Sequence, residues 1–212
     1  MPGFGALANE DEQAPDGWQG IKLGQAFERV QRTISLNVED VLSITATFGF
    51  VQQKDKFSRI IAGQKLKRYI LLKKGEFAYN KGNSKTYPQG CVYMLEDFDK
   101  AAVPNVYFCF RPRNNEIYGN FYKFYFENSF LNHQLQKVIN TGVRNDGLLN
   151  LHPNDFFNIR IKVPSISEQK CITRVLTTAT NEVNNLEKKL KALEKQKRGL
   201  MQKLLTGEIR VK

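Results

Sequence analysis

Basic side chains crowd one stretch of the sequence, between Lys54 and Lys85. Ten Lys and Arg residues lie there against only Asp55 and Glu76. Ammonium and guanidinium groups at this density can neutralise phosphates, which gives an affinity that falls steeply with salt. A solvated, Lys-rich surface is the alternative interpretation. The candidate contacts to a polyanion in this stretch are Lys54, Lys56, Arg59, Lys65, Lys67 and Arg68.

Three polar segments add side chains that can reach the edges of nucleic-acid bases. Asn and Gln can form paired hydrogen bonds with adenine, and Lys and Arg with guanine. The segments are YNKGNSKTYPQG, FRPRNNEIYGN and GVRNDG, whose Gly, Asn and Pro content predicts loops. Ordinary polar loops have the same composition, so both interpretations stay open. The candidates in these segments are Lys81, Asn83, Ser84, Lys85, Arg111, Arg113, Arg144 and Asn145.

Signatures of catalysis are missing from the sequence. It has no Gly-rich dinucleotide loop, phosphate loop or nucleophile elbow, and no NPPY-type motif of an adenine methyltransferase. His133, His152 and three unpatterned cysteines show no metal-ligand spacing. We therefore expect no catalytic residue, no metal and no cofactor in this chain. The few, odd-numbered cysteines favour a reducing, cytoplasmic location.

The overall charge agrees with a polyanionic partner. The chain has 212 residues and a formal net charge of +11, with 41% hydrophobic residues, enough for a real core. Residues 1–17 are acidic and aperiodic and predict a flexible leader. The sequence has no run of about 18 apolar residues, so no transmembrane helix is predicted.

The body of the chain, residues 18–163, predicts an α+β domain. Short β-branched and aromatic runs such as VLSITATFGFV and NVYFCFRP predict strands. YGNFYKFYF is expected to end a strand before a helix from about Ser129 to Ile139. DFFNIRIKVP alternates and predicts a last strand that Pro164 stops. We assign to the core, rather than to base stacking, the aromatic residues Tyr118, Phe121, Tyr122, Phe124, Tyr125 and Phe126.

Residues 164–212 predict one long helix. Ser165 and Glu168 fit a capping box, the predicted helix runs from about 168 to 205, and Gly207 follows it. Apolar residues then recur at alternating intervals of four and three, which indicates a coiled coil broken only by Lys197. A single domain cannot cover such a stripe, so another helix is the expected partner. The predicted seam residues are Ile172, Leu176, Ala179, Val183, Leu186, Leu190, Leu193, Leu200 and Leu204.

Three segments together resemble one known family. LKKGEFAYNKGNS, GVRNDGLLNLHPNDFFNIRIKVPSISEQKCI and LEKKLKALEKQKRGLMQKLLTGEIR are similar to the specificity (S) subunit of type I restriction–modification systems. The similarity runs from about Trp18 to Arg210. Its most specific part is the strand–Pro–helix junction at Glu168 and Gln169, followed by the coiled coil.

The resemblance implies a role without catalysis. Residues 18–163 would be a target-recognition domain that reads a DNA half-site, and residues 164–212 would serve as dimerisation helix, spacer and docking surface for methyltransferase subunits. The usual family member has two such halves, and this sequence has one. Two copies paired through antiparallel helices would then direct methyltransferase and restriction subunits to a bipartite target. S-adenosylmethionine would be bound by the methyltransferase.

Three other functions remain open on the sequence alone. A standalone DNA-binding regulator dimerised by its helix is the main alternative. An enzyme with divergent motifs and a coiled-coil adaptor without affinity for DNA are the others.

Overall fold

A computed structural model describes residues 14–34, 40–45, 48–53, 68–82, 87–139 and 148–211. The chain divides into two compact units, Met1–Lys170 and Cys171–Lys212. The first unit mixes sheets and helices, and a long helix at the carboxyl end follows, which confirms the predicted α+β class with one long helix. Within the described residues no helix is long and apolar enough to cross a membrane.

The central sheet of the first unit has four antiparallel strands. Their order is β2 (Phe27–Val30), β9 (Phe108–Pro112), β6 (Phe77–Asn80) and β7 (Cys91–Met94). Because side chains alternate along a strand, each strand contributes to two separate cores. Five aromatic side chains occupy one face, and mainly small or aliphatic side chains, together with Tyr93, occupy the other.

The aromatic face packs against short helices. Phe27 contacts the rings of Phe77, Phe110 and Tyr122 edge-on, with centroids 5.1–5.7 Å apart. Tyr122 and Phe126 come from helix α2 (Gly119–Glu127), which is followed by α3 (Asn132–Val138). The expectation of a strand end at YGNFYKFYF is therefore wrong. The run forms a helix whose aromatic residues cover the sheet.

The opposite face of the sheet packs on two antiparallel pairs of strands. One pair is the hairpin of β3 (Leu42–Thr45) and β4 (Gly49–Gln52), and the other joins β5 (Tyr69–Lys73) to β8 (Lys100–Pro104). Their aliphatic side chains share one buried cluster with Ala78 and Cys109 of the central sheet. At its edge, the buried Glu76 carboxylate pairs with the Arg32 guanidinium and accepts the backbone N–H of Lys73 at 2.9 Å.

A final two-stranded sheet joins the two ends of this unit. Strand β1 (Gln19–Lys22), which a four-residue helix α1 (Leu23–Ala26) follows, pairs with β10 (Arg160–Val163). The residues before β10 are helical, in α4 (Pro153–Asn158), so the predicted strand over DFFNIRIKVP is right only for its second half. Pro153 begins α4, and the His152 imidazole caps it by accepting the N–H of Asn154 at 3.2 Å.

The long helix α5 spans Ile166–Leu205, close to the predicted bounds. At its start the Ser165 hydroxyl accepts the N–H of Glu168 at 3.3 Å, as the capping box predicts. The Glu168 carboxylate accepts the indole N–H of Trp18 at 3.0 Å. Forty residues at 1.5 Å each make the helix about 60 Å long.

Candidate nucleic-acid interface

The predicted contact residues fall into two groups. Lys54, Lys56, Arg59, Lys65, Lys67, Asn83, Ser84, Lys85, Arg144 and Asn145 lie outside the described residues. Arg68, Lys81, Arg111 and Arg113 lie within them. The first group sits in three chain segments, 54–67, 83–86 and 140–147. The structure describes the residues to which each segment is attached.

Two of these segments are attached at one point. Gly82, which precedes segment 83–86, forms an antiparallel bridge with Leu148, which follows segment 140–147. The N–H of Leu149 also donates to the Lys81 carbonyl at 2.9 Å. Candidates about 60 residues apart in sequence therefore belong to segments that start and end side by side.

Strand β3 connects this point to the third segment. The side-chain amide of Asn80 donates to the Ile44 carbonyl at 3.2 Å, so the end of β6 lies against β3. At the other end of β3, the N–H of Gln53 donates to the Val41 carbonyl at 2.9 Å, just before segment 54–67. Val41 and Ile44 are three residues apart, or about 10 Å along a strand. All three candidate segments thus have an attachment point along β3 or beside its end.

Lys81 and Arg29 place positive charge near the Gly82–Leu148 bridge, on the aromatic face of the sheet. The Lys81 ammonium lies 5.4 Å from the centre of the Phe108 ring, and the Arg29 guanidinium lies 6.0 Å from it. Both distances permit a cation–π attraction, which holds the two basic groups near one aromatic ring. Arg29 was not among the predicted contacts. Arg29 is exposed in the strand FERV, where Phe27 and Val30 are buried, but strand alternation alone does not single it out, because Glu28 is partly exposed as well.

Arg111 and Arg113 lie toward the other end of the sheet. In the strand register Phe108 pairs with Tyr79 and Phe110 pairs with Phe77, so Arg111 and Arg113 lie past the beginning of β6, whereas Lys81 lies past its end. Arg111 forms an ion pair with Glu28 at 2.5 Å. Arg113 donates to the carbonyls of Gly24 and Phe27 at 2.8 and 3.2 Å. These contacts make both side chains parts of the scaffold, and their role in DNA contact stays a prediction.

Asn80 is a positioning residue that the sequence analysis missed. Besides contacting Ile44, its side-chain oxygen accepts the N–H of Gly82 at 3.0 Å and so shapes the turn into segment 83–86. An Asn two residues before a Gly is the sequence pattern of such a turn. This signal was present in YNKGN, but it does not reveal that Asn80 also bonds β3.

The predicted seam forms a second candidate surface on α5. Its residues lie on the heptad positions a and d, and most of its large side chains are exposed: Val183, Leu186, Leu190 and Leu193 are each more than half exposed. A stripe of this size in water is typical of a surface that another helix covers.

Among the described residues, no three His, Cys, Asp or Glu side chains come together as metal ligands would.

Comparison with known proteins finds similarity to specificity subunits of type I restriction enzymes. No family model matches the sequence. The MjaVIII specificity subunit of a type I restriction enzyme from Methanocaldococcus jannaschii is 31% identical over 97 residues, which is 44% of this chain and 21% of that protein. The putative MjaX type I specificity subunit of the same organism is 25% identical over 187 residues, 87% of this chain and 40% of that protein.

Solved structures show the same fold. The HsdS subunit from Thermoanaerobacter tengcongensis matches 95% of this chain and 46% of its own, with a TM-score of 0.53 and 17% identity. A structure from work on assembly and conformational transition of the type I R-M system matches equally large shares, with a TM-score of 0.50 and 16% identity. The chain spans less than half the length of each of these proteins. The predicted resemblance to type I specificity subunits is confirmed.

Proposed function

From this similarity to type I specificity subunits, we propose that the chain is a non-catalytic DNA-recognition subunit. It directs an adenine methyltransferase, and a restriction subunit where one is present, to a bipartite DNA target. The observation that carries the proposal is the match over 95% of the chain to an HsdS structure of which it covers 46%. In the family that the sequence resembles, one recognition domain and one helix would make up about half of the chain.

The arrangement of the candidate segments supports DNA recognition. Segments 54–67, 83–86 and 140–147 have attachment points close together on the β3 side of the sheet. They carry Lys and Arg that can bind phosphates and Asn that can bind base edges. A rigid sheet that presents several polar loops on one side suits recognition of a short half-site.

The division of labour in the complex follows from the chemistry of methylation. An adenine must leave the base stack before its amino group can be methylated, so the reaction needs a pocket for a flipped base. The methyltransferase subunit supplies that pocket and binds S-adenosylmethionine. This chain supplies the position on the DNA.

Two copies of the chain complete the bipartite recognition. Antiparallel pairing of α5 gives a twofold dimer, and each copy carries its recognition domain at the amino end of its helix. A twofold protein reads two identical half-sites in inverted orientation. The target is then a palindrome interrupted by an unspecified spacer.

A methylation map tests the proposal. The chain is co-expressed with the methyltransferase encoded beside its gene, in a host without other modification, and the DNA is read by single-molecule sequencing. We expect N6-methyladenine at an interrupted palindrome. An asymmetric bipartite site would retain the function but require a second, different half-subunit.

The absence of new methylation would contradict the proposed function. If both proteins are soluble and associated but no new methylation appears, the chain does not direct this methyltransferase. Tight binding of the chain alone to a defined DNA site would then favour a standalone regulator.

A further inference from the structure

The seam of α5 has the same spacing in both chain directions. From Ile172 to Leu204 the intervals between seam positions, Lys197 included, are four, three, four, three, four, three, four, three and four residues. This series is symmetric about Lys188. A helix with such a seam can therefore lie against an inverted copy of itself with every seam position matched.

Antiparallel pairing about Lys188 opposes each a position with a d position of the other copy. This is the layer geometry of antiparallel coiled coils, whereas parallel helices oppose a with a and d with d. The layers would be Ile172 with Leu204, Leu176 with Leu200, Ala179 with Lys197, Val183 with Leu193 and Leu186 with Leu190. By the twofold symmetry each layer occurs twice.

Lys197 distinguishes the two orientations. It is the one charged residue among the ten seam positions. In a parallel pair it would face Lys197 of the second copy, and like charges in a seam repel. In the antiparallel pair it faces Ala179, the smallest seam residue. The Lys stem can lie over the small Ala side chain while its ammonium reaches water.

Lys197 also distinguishes the registers. A shift of one heptad in either direction keeps the a-to-d geometry but changes the residue opposite Lys197. One shift opposes Lys197 with Leu186 and Leu204 with Ala179. The other opposes Lys197 with Ile172 and leaves Leu204 beyond the seam. Both place the ammonium against a large apolar side chain and pair fewer Leu residues.

The charged residues that flank the seam favour neither orientation of the paired helices strongly. Near the twofold axis, Glu187 would face Glu187 of the second copy, and Lys189 would face Lys189. These groups are exposed, so solvent and salt screen the repulsion. Within each helix Glu187 and Lys191, and Glu194 and Arg198, have the favourable four-residue spacing. The seam layers therefore decide the pairing.

We infer that the Lys197–Ala179 layer sets the orientation and register in which a second copy of this chain pairs along α5. The inference rests on the twofold dimer of the proposed function and adds the residues that specify it. Lys197 acts as a specificity residue because it makes the parallel and shifted arrangements unfavourable.

A charge-reversal experiment tests the layer directly. In the full chain we expect Ala179→Lys to raise the dimer dissociation constant at least about tenfold relative to Ala179→Glu, because the new side chain faces Lys197 in two layers. In a Lys197→Glu background the order of the two variants should reverse. Sedimentation velocity over a concentration series gives the constants.

The matched control adds the same charge elsewhere on the helix. Asn181 lies two residues from Ala179 on the outer heptad position f, so Asn181→Lys should leave the dimer unchanged. Circular dichroism verifies that each variant keeps its helix. Equal effects of Ala179→Lys and Asn181→Lys, or no reversal in the Lys197→Glu background, would overturn the inference.

Cross-linking gives an independent measure of orientation. Val183→Cys and Leu193→Cys are made separately, with different tags, in a chain with Cys171→Ser. The inferred register brings position 183 of one copy beside position 193 of the other, so a short bis-maleimide should link unlike chains. Like chains should not link, because identical positions are about 15 Å apart along the axis. Links between like chains would indicate a parallel pair, and the parent chain controls for reaction at Cys91.

These results are separate from the test of function. A monomeric chain at all concentrations overturns the inferred pairing, whereas the methylation map can still succeed with a different half-subunit. An antiparallel dimer without methylation would support the inferred Lys197–Ala179 layer and contradict the proposed function.

Discussion

Gln169 is fully buried at the first turn of α5, although it is polar. Its side-chain oxygen accepts the N–H of Tyr118 at 2.7 Å, and its nitrogen donates to the carbonyls of Glu116 and Pro164 at 2.8 and 2.9 Å. A buried amide with its bonds satisfied is specific for one geometry. Gln169 therefore anchors the first turn of the helix to the loop before α2.

Removal of this side chain should destabilise the first unit. We expect Gln169→Ala to lower the free energy of unfolding by about 2–4 kcal/mol, because it removes three hydrogen bonds, to the Tyr118 N–H and to the carbonyls of Glu116 and Pro164, at a buried side chain. Urea denaturation measures the change. Gln202→Ala, at an exposed position of the same helix, is the control and should stay within about 0.5 kcal/mol of the parent. Equal small effects would refute the anchoring role.

Burial also changes the acidity of thiols. Desolvation raises the pKa of Cys109 to about 12 and that of Cys91 to about 11. The unfolded chain ionises its thiols first as the pH rises, at about 8.5. The folded state therefore keeps its full advantage from these protonated thiols below that pH and loses it progressively between about pH 8.5 and 12.

Alkaline unfolding experiments should show this loss. We expect stability to fall above about pH 8.5, by at most about 1.4 kcal/mol per pH unit for each buried thiol. Cys109→Ala should reduce the slope, whatever its effect at neutral pH. Cys171→Ala, which removes an exposed thiol, is the control for loss of a thiol as such. Urea midpoints from pH 7.5 to 10.5 give the comparison, and identical slopes in all three proteins would contradict it.

At the scale of elements, periodicity alone identified the long helix and several strands. The seam of α5 is unambiguous because its pattern is sustained over more than four heptads. The run YGNFYKFYF was ambiguous because its six aromatic residues among nine fit both strand and helix periods. The face that α2 presents became clear only from the sheet that it covers.

The candidate interface was predictable only in part. Composition identified the three basic and polar segments, but nothing in their sequence shows that they are attached close together. That information lies in the Gly82–Leu148 bridge and in the bonds from Asn80 and Gln53 to β3. The register between β6 and β9 separates Arg111 and Arg113 from Lys81, although all three look alike in sequence.

The position of a basic residue on the sheet, rather than its charge alone, should determine how much it contributes to DNA binding. We expect Lys54→Ala, Lys56→Ala and Arg59→Ala together to reduce the slope of log affinity against log salt by about 2–3, since each lost phosphate contact removes about 0.9. The affinity for the mapped target is measured by fluorescence anisotropy from 50 to about 300 mM salt.

A matched control is available at the other end of the β5–β8 pair. Lys73 and Lys100 pair there, about 13 Å along the strand from Tyr69, and Lys74 follows. Alanine at Lys73, Lys74 and Lys100 removes the same charge from exposed positions. This triple variant should keep the parent salt slope. Equal losses in both triple variants would mean that net charge, not a defined interface, determines the affinity.

For the whole molecule, the length of α5 should determine the spacer between the half-sites. Duplication of residues 186–192 adds one heptad, which preserves the seam and lengthens the paired helices by about 10.5 Å. At 3.4 Å per base pair, we expect the methylated site to gain about three base pairs of spacer. The methylation map of the lengthened chain checks this, and an unchanged spacer would show that the length of α5 does not set it.

The symmetric seam also bears on how target specificity can diversify. If the seam pairs any two copies, a cell that makes n chains with this helix and different recognition domains has n palindromic targets and n(n − 1)/2 mixed ones. New targets then arise by assortment of existing domains, without any change in the residues that pair. A compensating change at positions 179 and 197 would divide such a population into groups that no longer exchange partners.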